Sequence, residues 1–195
     1  MKRILLVTLT ACSLVSAQGE IHSYSVTLDG ANAGTGSPGI GSGTVNYDDV
    51  NHLLQLQVTF SGLTGNTTVS HIHAPTTSPF TGTAGVATTT PTFDGFPAGV
   101  TSGSYSNTLD LTLASSWNAA FVTANGGTLA TAEAAFADFL ATGRAYWNIH
   151  TSTSPGGEIN GFLTPVPEPS SLALLGLGVV GLALGVWRKN RATKS

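Results

Sequence analysis

The clearest periodicity in the chain is HLLQLQVTF, residues 52–60, where Leu54, Leu56, Val58 and Phe60 alternate with Gln55, Gln57 and Thr59. Successive side chains of a strand point to opposite faces, so this stretch predicts a strand with one face in a core and one in water. The alternation recurs at His22–Leu28, with Tyr24, Val26 and Leu28 together, and at Ser104–Leu113, with Leu109, Leu111 and Leu113 together. Shorter strands are predicted at Thr44–Tyr47, Thr67–His73, Val86–Thr89, Arg144–His150 and Glu158–Leu163. Asp48-Asp49-Val50-Asn51 reads as a hairpin turn. GANAGTGSPGIGSG, residues 30–43, has six glycines and one proline and reads as a flexible loop without strand pattern. One helix is predicted over TLATAEAAFADFLATG, with Leu129, Ala132, Phe136, Phe139 and Leu140 as its apolar stripe. Thr128 can cap its start and Gly143 can close its end. These elements predict a mainly β domain, an antiparallel sandwich or barrel with one covering helix.

The two ends follow other rules. Residues 1–17 carry Lys2 and Arg3, an apolar run from Ile4 to Val15, and Val15-Ser16-Ala17 as a small-residue cleavage site. They read as an export signal, with a mature start at Gln18. Leu9-Thr10-Ala11-Cys12 offers the alternative of a lipidated Cys12. At the other end, residues 171–187 are uncharged and mostly apolar, long enough for a transmembrane helix, and Trp187 suits the interface. Arg188, Lys189, Arg191 and Lys194 follow in the basic tail, 188–195, which keeps that end cytoplasmic. Gly176-Leu177-Gly178-Val179-Val180-Gly181 spells G-x-G-x-x-G, but it lacks a βαβ context and a downstream acid, so it is not a dinucleotide loop.

Residues 165–195 as a whole resemble the PEP-CTERM sorting signal of Gram-negative bacteria. Val166-Pro167-Glu168-Pro169-Ser170 (motif 166–170) is followed by the apolar span and then the basic cluster. The resemblance implies recognition by an exosortase-type enzyme, processing near Pro167, Glu168 and Pro169, and export across the inner membrane. A membrane anchor then gives way to the cell surface or exopolysaccharide matrix. A bare membrane anchor would need no such triplet.

Residues 18–164 are enough for one domain with a core. They hold nine carboxylates against Arg144 as the sole basic side chain. Nucleic-acid binding needs a basic footprint, which is absent. Cations and neutral sugars are the compatible partners, and envelope polysaccharide or protein is the expected environment. The only cysteine, Cys12, lies in the signal, so the domain is held by packing and its β ladder.

Candidate chemistry centres on Ser70-His71-Ile72-His73. At i and i+2 of a strand, His71 and His73 share a face opposite Ile72. Trp147-Asn148-Ile149-His150 echoes the Ile-His pair, and Ser-Pro with glycine follows each one. If the two strands are neighbours, His71, His73 and His150 converge. Three imidazoles suit zinc with an open position, or copper, with Glu158 as a fourth ligand or as the group orienting an imidazole. The alternative is that the histidines only tie loops to strands. No H-E-x-x-H helix, G-x-S-x-G elbow or phosphate loop is present, so no enzyme class is indicated.

The body resembles the CHRD domain, the module named from chordin and also found in exported bacterial proteins. Phe60-Ser61-Gly62-Leu63, Ser70-His71-Ile72-His73-Ala74-Pro75, Leu140-Ala141-Thr142-Gly143, Tyr146 to Thr151 and Pro155-Gly156-Gly157-Glu158-Ile159 carry the match, over roughly Tyr24–Leu163. Ala74 and Asn160 depart from it, where glycine and arginine are usual. The resemblance implies an all-β domain without established enzymatic activity. By analogy of fold the sandwich would be immunoglobulin-like or superoxide-dismutase-like, but the domain lacks the cysteines and further histidines of the two-metal dismutase site. The expected role is a non-enzymatic binding or structural domain of the envelope. The alternatives are a copper or zinc module, with possible redox activity, and a polysaccharide-binding module using exposed aromatics such as Tyr105 or Trp117.

Overall fold

A computed structural model describes residues 21–167. The expected export signal 1–17, the expected membrane span 171–187, Glu168 and Pro169 lie outside these residues. Among the described residues no helix is long and apolar enough to cross a membrane.

Eight strands form one antiparallel sheet: β1 (Ile21–Asp29), β2 (Ile40–Asp48), β3 (Leu53–Ser61), β4 (Thr67–His73), β5 (Gly103–Asp110), β6 (Tyr146–Thr151), β7 (Ile159–Phe162) and β8 (Thr164–Pro165). Their order is β4-β6-β7-β1-β2-β3-β5, with β8 also paired to β1. Of the two architectures expected, a sandwich or a barrel, the sandwich of two sheets is replaced by one curled sheet, a half-barrel. The segment between the edge strands β4 and β5 explains the curl. It runs back along β4, with Ala87 N donating to Ile72 O, Phe93 N to Ser70 O and Gly99 N to Thr67 O, before entering β5. Phe93 then lies 5.8 Å from the Tyr105 ring of β5 and 5.7 Å from the Trp147 ring of β6, so opposite ends of the sheet meet across one side chain.

The alternating segments deliver the core as patterned. Tyr24, Val26 and Leu28 of β1 and Leu54, Leu56, Val58 and Phe60 of β3 are buried, while Gln55, Gln57 and Thr59 face water. Each fully buried large apolar side chain stabilises the fold by about 1.5–3 kcal/mol. The helix α2 (Leu129–Ala141) begins at Thr128, whose hydroxyl accepts from Thr131 N in a capping box. A short helix α1 (Ala119–Ala124), not expected from the pattern, brings Phe121 against Trp117 and Phe136.

Two boundaries differ from the expectation. β2 begins at Ile40, inside the stretch read as loop. Gly41 and Gly43 occupy its inward positions because the β3 backbone leaves no space there: a Cβ on Gly41 would lie 2.9 Å from Thr59 O, and one on Gly43 would collide with Gln57 O. The core face of that half-strand therefore carries no apolar side chain to signal it. β5 ends at Asp110, so Leu111 is buried from a turn and Leu113 is exposed. Val86–Thr89 forms only isolated bridges, from Val86 to His73 and from Thr88 to Trp117.

A candidate metal centre between two strands

β4 and β6 pair in the register Ser70↔Ile149, His71↔Asn148, Ile72↔Trp147 and His73↔Tyr146. Ile72, Trp147 and Ile149 fill the core side and are fully buried. Trp147 Nε1 donates to Ser70 Oγ at 2.8 Å, and Ser70 Oγ donates to Asn148 O at 2.9 Å, so the paired strands are fixed from within. By strand parity His71, His73, Asn148 and His150 then share the outer side. That side is buried too: His71 is 5 % exposed, His73 7 %, Asn148 2 % and His150 8 %.

The three imidazoles come together. Their ring centroids are 5.3 Å apart for His71 and His150, and 5.7 Å for each of the other two pairs. One ring nitrogen from each lies within 4.8 Å of those of the other two. The His73 ring also stacks on Tyr146 at 4.9 Å.

Each ring is anchored by one nitrogen to a main-chain carbonyl. His71 Nε2 bonds Pro91 O at 2.5 Å, His73 Nδ1 bonds Ala84 O at 2.9 Å, and His150 Nδ1 bonds Pro155 O at 2.8 Å. A carbonyl can only accept, so these nitrogens carry the protons and the tautomers are set. The other nitrogens, His71 Nδ1, His73 Nε2 and His150 Nε2, are shielded from solvent and have no hydrogen-bond partner. Burial pushes all three pKa values down against the carbonyl bonds, that of His73 to about 4, with mutual repulsion adding to the effect at His71 and His73. At neutral pH the cluster is therefore three uncharged rings, each with an unused lone pair.

Glu158 does not join this group. Its carboxylate accepts from Ser37 Oγ at 2.6 Å, Thr64 N at 2.6 Å, Thr64 Oγ1 at 3.0 Å, Gly65 N at 3.1 Å, Thr151 Oγ1 at 2.6 Å and Thr153 Oγ1 at 3.3 Å. Burial raises its pKa, but these bonds outweigh that and hold it at about 2. It fastens three loops together. Asn160, noted above as a departure from the usual arginine, is in register with Asp29, whose carboxylate bonds Asn32. His52 bonds Glu133 at 2.9 Å and His22 lies 3.8 Å from Asp49, so both belong elsewhere.

The exposed aromatics expected of a glycan site are not exposed. Tyr105 is 6 % and Trp117 4 % accessible. Tyr105 Oη donates to Asp94 O and Trp117 Nε1 to Leu111 O, so both are core residues with satisfied polar tips. Two features of the site had no signal in the sequence. One is the set of three carbonyls, which any residue could supply. The other is Asn148, in register with His71, whose Oδ1 is buried without a partner while its Nδ2 donates to Gly156 O.

The curled sheet with its histidine centre belongs to a known class of module: the model of the CHRD domain matches residues 24–163, and the chain is a member of that family. The PEP-CTERM protein-sorting motif follows at residues 165–189 and marks an exported protein sorted to the cell surface through an exosortase-type processing enzyme. Neither is an enzymatic family. No curated protein and no solved structure matches the chain.

Proposed function

We propose that the domain is a transition-metal-binding module displayed in the cell envelope or its matrix, with His71, His73 and His150 as ligands to copper or zinc. The observation that carries this reading is the clustering of three buried imidazoles, each with one ring nitrogen that has no hydrogen-bond partner. A buried acceptor without a donor is costly, and three neighbouring ones repel one another. A water molecule can donate to only two of them, whereas a metal ion accepts from all three. One nitrogen of each ring lies at most about 2.8 Å from a common centre, given the 4.8 Å limit on their separations. Metal–imidazole bonds of about 2.0–2.1 Å need the rings to close in by about 0.7 Å. The carbonyl anchors supply the outer support that holds ligating imidazoles in one tautomer.

The test is metal content of the full-length chain purified without a polyhistidine tag, loaded with copper or zinc and dialysed. One ion per chain, lost in His71→Ala, His73→Ala and His150→Ala, is the expected result. A folded parent that retains no metal overturns the proposal and leaves the histidines as ties between loops and strands.

A further inference from the structure

The donor set narrows the metal further. Resting on the metal reading above, we infer that the centre is selective for cuprous copper over zinc and cupric ions.

Three features support this. The first is charge. The group consists of three neutral rings held by main-chain carbonyls, and it contains no carboxylate or thiolate. Glu158 is fully engaged by six hydrogen bonds elsewhere. A dication would keep both charges in a buried site. Desolvation cost grows with the square of charge, about fourfold from a monocation to a dication. Zinc at three histidines therefore needs a hydroxide or another anion in its open position. Here the group itself holds no anionic side chain to fill that position, and its three open nitrogens are shielded from solvent.

The second feature is coordination number. Cupric copper prefers a square-planar or tetragonal set. Among the described residues the remaining histidines, His22 and His52, are placed against Asp49 and Glu133. Two neighbouring strands thus present three nitrogens and no fourth, and the other unpartnered acceptor on that side, Asn148 Oδ1, is a neutral amide oxygen rather than the fourth imidazole or anion a dication would call for. The third feature is the surroundings. The rings of Tyr146 at 4.9 Å from His73 and Phe93 at 6.5 Å from His71 border the group with polarisable, uncharged surface.

The experiment is an anaerobic titration of the full-length chain with cuprous ion buffered by a competing chelator, with parallel titrations of zinc and silver(I). Silver is a redox-silent monocation. The expected result is one cuprous ion per chain, displaced by silver, at a free-metal concentration at least about 100-fold below that needed for zinc. Zinc binding as tight as cuprous binding overturns this inference and leaves the metal reading intact. A folded chain that binds none of the three overturns both. The charge argument has its own variant, Asn148→Asp, which puts a carboxylate on the same side in register with His71. It should move the cuprous-to-zinc preference at least tenfold towards zinc; a metal-competent variant with unchanged preference overturns the argument.

Discussion

Two buried polar clusters flank the end of β6, and they are built on opposite plans. At Glu158 a charged carboxylate is met by six donors from three loops and the last residue of β6, and nothing is left unpaired. At His71, His73 and His150 each ring has one partner and one vacant lone pair. The first plan uses polarity to fix the chain. The second holds polarity in reserve at a cost to the unliganded fold. A buried group's unfilled capacity, more than its charge or rarity, separates a candidate site from a structural tie.

The comparison breaks most visibly through Glu158. Glu158→Ala leaves the Thr64 and Gly65 amides and the hydroxyls around them facing an empty pocket. A loss of about 3–5 kcal/mol is expected in urea unfolding. The same lock should open in acid. The Glu158 pKa is about 2 in the fold, below the ordinary value of 4.5, so the unfolded chain takes up the proton first. Its contribution is complete above the unfolded pKa and is lost as pH falls from about 4.5 to about 2. Urea midpoints measured across that range should fall steeply in the parent and less steeply in Glu158→Gln. An equal slope in both would show that Glu158 is not the acid-sensitive tie.

Gly157 links the two clusters. Its φ is +118°, and a Cβ there would collide with the Asn148 carboxamide. Gly157→Ala should cost about 2 kcal/mol by calorimetry and weaken metal retention at the same time. His150→Ala should cost the metal-free fold less, about 1 kcal/mol, the net worth of one hydrogen bond to Pro155 O. It should nevertheless abolish metal binding. If His150→Ala instead destabilised the metal-free protein as much as Glu158→Ala, the two clusters would be alike and both structural. The smallest effect is expected from Tyr146→Phe. Its hydroxyl makes only long bonds with Ala84, 3.3 Å to N and 3.4 Å to O, so about 0.5 kcal/mol is at stake and the His73 stack survives.

How far the sequence foretold this arrangement depends on whether a feature is local. β1, β3 and the capped helix were legible because alternation and caps are local signals. The first half of β2 was not, since its inward positions are Gly41 and Gly43 and the reason for them lies in the backbone of β3. The choice of a single curled sheet over a two-sheet sandwich was not legible either. It depends on how the segment after β4 folds back before β5, a non-local matter. In the site, the His-x-His pair and its Ile-His echo pointed to convergence, which the β4–β6 register provides. Glu158 could be named from the same stretch of sequence but not assigned, because its partners come from Ser37, Thr64 and Gly65, about a hundred residues away in sequence. Tyr105 and Trp117 misled because an aromatic next to polar residues looks the same in sequence whether its ring is outside or in the core.

β8 is the smallest element of the sheet, yet it sets how closely the sorting motif follows the folded domain. Thr164 and Pro165 pair with Ser25 and Tyr24, and Val166 N donates to Ser23 O at 2.8 Å. The sorting motif begins at residue 165, so the tag starts while the chain is still woven into the domain. There is little slack between cargo and address label: the matched motif opens inside the last hydrogen-bonded strand, so whatever reads it meets the edge of the folded domain at once.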